Sequence, residues 1–235
     1  MLALLYDVHG NLPALQAVLA DAADRGADAY LLGGDYTLFG GWPNETLALL
    51  ESLEDATWIR GNGERWTAQP ASAPDNPLIQ GAIASCSETL GAGVAARLAD
   101  LPESVALDAG EVSGRAWHGS PISDEQSFLP EPRPEDDAML EGVQEARLYV
   151  GHTHLPFQRV SAAGIEIVNP GSVGMPFDGN PRAAYALLHD DGTVQQRRVH
   201  YDHASAARRV REQARGATWG ETIGKRIERA QFLVR

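Results

Sequence analysis

Five short polar motifs combine residue types that could do chemistry together: Asp7-Val8-His9-Gly10-Asn11, Gly33-Gly34-Asp35, Gly61-Asn62-Gly63-Glu64, Trp117-His118-Gly119 and Gly151-His152-Thr153-His154. Each follows directly on a short apolar run. Four of the seven histidines lie in these motifs, joined there by Asp7, Asp35 and Asn62. Imidazole, carboxylate and amide donors in that combination form the mixed nitrogen and oxygen set that holds two divalent cations. Separately each motif has a structural use, Asp-x-His as a cap, His-x-His as a packed pair and Gly-Asn-Gly-Glu as a turn. Their joint occurrence at the ends of apolar runs is what points to a metal site.

Residues spread from position 7 to 154 can meet only if the elements carrying them end at one place. In the first third, apolar runs at 3–6, 29–32 and 57–59 alternate with helical patterns, the signature of a sheet with crossover helices. Asn11 is a good N-cap and Pro13 sits in the first turn of a helix running to about Gly26, with Leu12, Leu15, Val18, Leu19 and Ala22 on one face. A second helix is expected after Asn44, carrying Leu47, Leu50 and Leu53. Residues 70–77 read as a loop and 78–99 as one or two helices. After Pro102 the chain turns strand-rich, with strands expected at 104–107, 114–117, 147–150, 157–160, 165–168, 184–188 and 194–200. Asp190-Asp191-Gly192 forms the hairpin turn between the last two. The proline-rich, acidic run 128–137 reads as an exposed loop, and the chain from about His203 favours helix. Residues just beyond the carboxyl ends of parallel strands share one crevice, which would gather the five motifs.

The chain has 235 residues, with 19 Lys+Arg against 32 Asp+Glu and a net charge of −13. One domain spanning 1–235, with a helical C-terminal extension from about 203, is the expected organisation. The acidic balance opposes binding through a nucleic-acid phosphate backbone, and no stable nucleic-acid complex is expected. Cys86 is the lone cysteine, so neither a disulfide framework nor a thiolate zinc module can form. The N-terminal apolar run, six residues before Asp7, is too short for a signal-peptide core or a membrane span, and a cytoplasmic location is expected. Nothing in the sequence demands an oligomer.

The ordered series D-x-H, G-D, G-N-x-E, H-G and G-H-T-H over positions 7–154 resembles the calcineurin-like metallophosphoesterase superfamily. Asn169-Pro170-Gly171-Ser172-Val173-Gly174 is similar to a segment of its small bacterial and archaeal phosphodiesterase branch. The resemblance implies an α/β fold, a two-sheet β-sandwich flanked by helices, with two divalent metal ions at the strand ends. Asp7, His9 and His154 would hold one cation, Asn62, His118 and His152 the other, and Asp35 would bridge them. Two cations at close range need a shared anionic ligand, which a carboxylate supplies. Manganese is the expected metal, with Fe, Zn, Ni or Co compatible with the same donors. The implied activity is that of a metal-dependent phosphodiesterase acting on a small phosphate ester or nucleotide. Hydrolysis would proceed by in-line attack of a metal-bridging hydroxide, with Asp35, Asn62 and His118 as catalytic residues.

One position departs from the family. Many members carry His where this chain has Gly63, and that imidazole is thought to protonate the leaving oxygen; the phosphodiesterase branch often has Cys there. General-acid assistance is worth about 10²- to 10⁴-fold in rate, so its loss favours esters with good leaving groups. Two alternatives stand beside the leading one: a metal-binding scaffold on the same fold with little turnover, and a phosphatase acting on phosphoprotein or dinucleoside polyphosphate. Glu64 is expected to hydrogen-bond rather than ligate, and Arg60 to form a surface ion pair. His189, His200 and His203 are expected outside the site. Trp58 and Trp117 suit core packing, and Cys86 a buried, inert thiol.

Overall fold

In the computed structural model, which describes residues 1–233, ten strands form two five-stranded sheets. Positions 234 and 235, the end of the expected C-terminal helical stretch, lie outside the described residues. The first sheet has the order β10-β9-β1-β2-β3, from β1 (Leu2–Leu5), β2 (Ala29–Leu32), β3 (Ala56–Trp58), β9 (Ala183–Leu188) and β10 (Val194–Val199). The second has the order β4-β5-β6-β8-β7, from β4 (Ser104–Ala106), β5 (Gly114–Trp117), β6 (Arg147–Tyr149), β7 (Phe157–Val160) and β8 (Glu166–Asn169). Within each sheet three strands run parallel, β1, β2 and β3 in one and β5, β6 and β8 in the other. The two-sheet sandwich flanked by helices is therefore the architecture of the chain.

The period of two along β1 shows how the layers are held. Leu4 and Tyr6 pack with Leu31, Ile59, Tyr149 and Val168 between the sheets, whereas Ala3 and Leu5 pack with the helices outside the first sheet. Those helices are α1 (Leu12–Asp24), α2 (Pro43–Glu51), α4 (Pro77–Leu90), α7 (His203–Gln213) and α8 (Thr218–Arg229). The apolar stripe Ala14, Leu15, Val18 and Ala22 buries α1, and the Asn11 side chain caps it by accepting the Ala14 N–H at 3.3 Å. Val210, Trp219, Ile223 and Ile227 join the same core, so the C-terminal helices pack on it. A third cluster, with Phe128, Met139, Leu148 and Ile167, covers the outer face of the second sheet. No helix among the described residues is long and apolar enough to cross a membrane.

Three stretches differ from expectation. The Gly-Asn-Gly-Glu turn opens a helix, α3 (Asn62–Ala68), because Glu64 turns back to accept the Gly61 N–H at 2.9 Å. A single 3₁₀ turn, Pro70–Ser72, interrupts the loop that follows, whereas the expected helical stretch after it is there as two helices, α5 (Ala92–Ala99) breaking from α4 at Gly91, φ +78°. The run 128–137 is not uniformly exposed. Phe128 and Asp136 are buried, and α6 (Glu135–Met139) begins within it, since Asp136 pairs with Arg159 at 2.6 Å.

Candidate metal centre

Five parallel strands from the two sheets end side by side, and their first residues beyond the ladder carry the motifs. Asp7 and His9 follow β1, Asp35 follows β2, Asn62 follows β3, His118 follows β5, and His152 and His154 follow β6. The pairing continues into the loops: the main-chain N–H groups of Asp7, His9 and Gly10 donate to the carbonyls of Gly34, Asp35 and Tyr36 at 3.1, 2.9 and 2.8 Å. The Asp7 carboxylate spans the sheets by accepting the His152 N–H on Oδ2 at 3.0 Å. All seven sequence-derived candidates meet here.

The backbone at this point is unusual. Asp7, His9, Asp35, His152 and His154 take positive φ values of 55°, 49°, 57°, 67° and 58°, the region glycine occupies freely and other residues enter at a cost of about 1–3 kcal/mol each. Fold alone would be satisfied better by glycine at such places. The chain instead retains a carboxylate or imidazole at all five.

The imidazoles are oriented from behind. Nδ1 of His9, His118 and His154 lies 2.9, 2.8 and 2.5 Å from the carbonyl oxygens of Leu38, Gly33 and Met175. A neutral ring donating through Nδ1 turns an Nε2 lone pair inward, the arrangement of a metal-ligating histidine. Nε2 of His9 and of His154 face each other at 3.1 Å. Asp7 Oδ1, fully buried and without a hydrogen-bond partner among the described residues, lies 3.3 Å from the same His154 nitrogen. Asn62 Oδ1 stands 3.0 Å from His118 Nε2 and 2.9 Å from His152 Nδ1. Asp35 lies between the groups, Oδ2 at 3.8 Å from His9 Nε2 and Oδ1 at 3.6 Å from His118 Nε2. Converging lone pairs and an orphaned buried carboxylate oxygen are a donor set that fits divalent cations, and they form two clusters, Asp7-His9-His154 and Asp7-Asp35-His118.

Without a cation the site is electrostatically crowded. Burial pushes Asp35 up to about 7, opposed by His118 and aided by the charges of Glu64 and Asp7. Burial also lowers His9 to about 3 and His152 to about 4, each helped by a neighbouring imidazole. Burial alone would raise Asp7, yet the attraction of His154, His118 and His9 holds its carboxyl below the ordinary range.

The residues behind the donors were only partly legible in the motifs. Glu64 accepts three backbone N–H groups, those of Asp35 at 2.8 Å and Gly61 at 2.9 Å on one oxygen and that of Tyr36 at 2.8 Å on the other. It therefore ties the loop after β2 to the start of α3. Replacing Glu64 by Gln leaves one oxygen for the first two donors and sets an amide NH₂ against the Tyr36 N–H. A loss of about 1–3 kcal/mol of stability is expected, measured by denaturant unfolding of the metal-free protein. Asn169 and Ser172 lie in the 169–174 segment, whose sequence does not show what their side chains hold. Asn169 donates to the Gly151 carbonyl and Thr153 Oγ1, both at 3.0 Å, and the Ser172 hydroxyl donates to the Asp7 carbonyl at 2.7 Å. Gly174 is confined by close approach, since a Cβ there would stand 1.9 Å from the Val8 oxygen. Phe177, stacked on His154 with centroids 4.3 Å apart, gave no sequence signal.

Other candidates fall where expected. Arg60 pairs with Glu103 and donates to the Ala99 carbonyl at 3.2 Å. Cys86 is buried, and burial pushes its thiol up to about 11. Trp58 is half-buried edge-on to Tyr36, while Trp66 is buried with its Nε1 donating to Glu125 at 3.2 Å. His189, His200 and His203 belong to neither donor cluster.

Comparison with known proteins agrees with this architecture. The family model described as the calcineurin-like phosphoesterase superfamily domain matches residues 1–193. The uncharacterized protein MJ0912 of Methanocaldococcus jannaschii is 26% identical over 225 residues, covering 89% of this chain and 91% of that one. The crystal structure of a metallophosphoesterase from Sphaerobacter thermophilus is 27% identical, with a TM-score of 0.81 over 97% of this chain and 98% of that chain. Hypothetical protein PH1004 of Pyrococcus horikoshii OT3 shares the fold, with a TM-score of 0.82 at 23% identity over 95% of this chain and 97% of that chain. With its motif-bearing strand ends inside the matched region, the chain belongs to the calcineurin-like phosphoesterase superfamily.

Proposed function

We propose that this phosphoesterase is a phosphodiesterase for small esters with good leaving groups, working with two divalent cations. The observation that carries the reading is the presence of five donor side chains at left-handed backbone positions, four of which, Asp7, His9, Asp35 and His154, belong to the two clusters that share Asp7. A scaffold on this fold would be free to relax those positions to glycine. In the proposed assignment Asp7, His9 and His154 hold one cation, Asn62, His118 and His152 the other, and Asp35 is shared. Such cations, when bound, supply Lewis acidity toward phosphoryl oxygens and a hydroxide nucleophile at neutral pH. The carbonyls of Leu38, Gly33 and Met175 fix the tautomers of His9, His118 and His154, so their donor atoms need no reorganisation.

Gly63 determines the substrate preference. The residue beyond Asn62 offers no side chain to give a proton to a departing oxygen, so the ester must leave largely unaided. Aryl and nucleotide diesters satisfy that condition better than alkyl monoesters. The test is hydrolysis of bis(p-nitrophenyl) phosphate beside p-nitrophenyl phosphate by chelator-stripped protein reconstituted with Mn²⁺. Stripped protein is expected to be inactive, and the reconstituted protein to turn over the diester faster than the monoester. Two bound metals with neither ester hydrolysed would overturn the proposal in favour of a scaffold.

A further inference from the structure

A cleft of ≈ 850 Å³ opens over the candidate metal centre, with His9, Asp35, Asn62 and His152 at its floor. Away from the floor its walls change character: Phe39, Leu78, Ile79, Leu155 and Phe177 line it. Phe177 lies against the His154 ring, 11° from parallel, and its N–H donates to the His154 carbonyl at 3.2 Å. Edge-on to Phe177, with centroids 5.4 Å apart, stands Phe232 from the segment after α8.

Phe232 is 62% exposed, and of the large exposed apolar residues Ile122, Val160 and Phe232 it alone lines this cleft. It is nevertheless fixed in place. The Arg226 guanidinium backs its ring at 4.4 Å and is itself pinned by the Leu233 carbonyl, which accepts from Nε at 3.0 Å and Nη2 at 2.7 Å. The Gly179 N–H donates to the Ala230 carbonyl at 2.8 Å, tying this segment to the loop that carries Phe177. A held but uncovered ring, two rings away from a ligand-competent imidazole, is a wall prepared for a flat partner.

Resting on the phosphoesterase reading, we infer that the cleft binds one ester group of the substrate as an aromatic ring, with Phe177 and Phe232 as the residues that select it. The phosphoryl group would sit at the polar floor and the ring along the apolar wall. A cleft of this volume accommodates both. Charge points the same way: the chain carries −13 overall, which opposes a polyanionic strand. The substrate class is thus a small aromatic phosphate ester, of which an aryl or nucleobase-bearing ester is the concrete form.

The test uses non-hydrolysable probes on Mn²⁺-loaded protein, with binding read by isothermal titration calorimetry. Phenylphosphonate is expected to bind at least 10-fold tighter than methylphosphonate and about 2- to 10-fold tighter than cyclohexylphosphonate, the range of an aromatic pair beyond its area. Phe232→Leu, which keeps an apolar group at an exposed position and leaves Phe177 in place, is expected to reduce the phenyl-over-cyclohexyl preference while leaving methylphosphonate affinity and metal stoichiometry unchanged. Equal binding of phenyl- and methylphosphonate, or an undiminished ring preference in Phe232→Leu, overturns the inference. If methylphosphonate binds and bis(p-nitrophenyl) phosphate is hydrolysed while ring preference is absent, this inference alone fails. If no phosphonate binds and no ester is turned over, the phosphoesterase reading fails and takes the inference with it.

Discussion

Asp35→Asn is expected to slow diester hydrolysis by about 10³-fold while leaving the metal-free protein at least as stable as the parent. The two effects have opposite sign because Asp35 is placed for a cation and not for the fold. Its Oδ1 accepts the Gly63 N–H at 2.7 Å, and the amide oxygen of asparagine can keep that bond. The amide nitrogen then replaces Oδ2 and faces His9 Nε2 from 3.8 Å without a carboxylate's charge. In the metal-free chain the substitution removes one of three neighbouring buried acids, Asp7, Asp35 and Glu64; burial first, and then the charges of the other two, push Asp35 up to about 7. A neutral amide relieves that crowding. Toward two cations, however, it offers one weak oxygen in place of a shareable anion, so metal content should fall together with turnover. Steady-state kinetics, elemental analysis and calorimetry of chelated protein measure the three quantities. Activity within 10-fold of the parent with two metals retained would remove Asp35 from its shared position.

How much of this was legible in the sequence follows from which signals are local. Leu2–Leu5, Leu12–Asp24 and Ala29–Leu32 announce themselves through runs and periods of a few residues, and an N-cap at Asn11 is a local statement too. The seven donors were legible for a different reason: each needs a polar side chain directly after a buried strand, a pairing with little alternative use when it recurs five times. What escaped depends on contacts between distant segments. The Glu64 carboxylate that starts α3 also accepts the Asp35 and Tyr36 N–H groups of another loop, a contact no local pattern shows. Phe128 and Asp136 lie in a segment of loop-like composition, yet a cluster on the second sheet and Arg159 bury them. The left-handed backbone at five donors is not legible in the sequence, because aspartate and histidine, though enriched at such positions over other side chains, occupy ordinary backbone far more often. Phe177 and Phe232 are unremarkable phenylalanines until the loop at Gly179 and the end of α8 bring them together.

The position of Gly63 separates two effects that sequence comparison merges, missing acid chemistry and steric room. A Cβ added there would stand 2.8 Å from Asp35 Oδ1 and 3.1 Å from its Cγ. The main chain of Asp35 cannot yield easily, since Glu64 holds its N–H at 2.8 Å and its φ is already +57°. The carboxylate itself must turn, and a displacement approaching 1 Å at a reacting centre costs on the order of 10²-fold. Gly63→Ala is therefore expected to lower turnover of every ester by about 10- to 100-fold through Asp35 alone. Gly63→His incurs the same displacement but adds an imidazole beside the phosphoryl position. The ratio of the histidine to the alanine variant isolates the proton donor, and it should rise with the pKa of the leaving group, reaching about 10²-fold or more for an alkyl ester and staying near unity for p-nitrophenolate. A ratio independent of leaving group would end the missing-acid account, and an alanine variant as active as the parent would show that the Asp35 carboxylate adapts without cost. Because both variants share one backbone change, their comparison needs no assumption about how far the carboxylate moves.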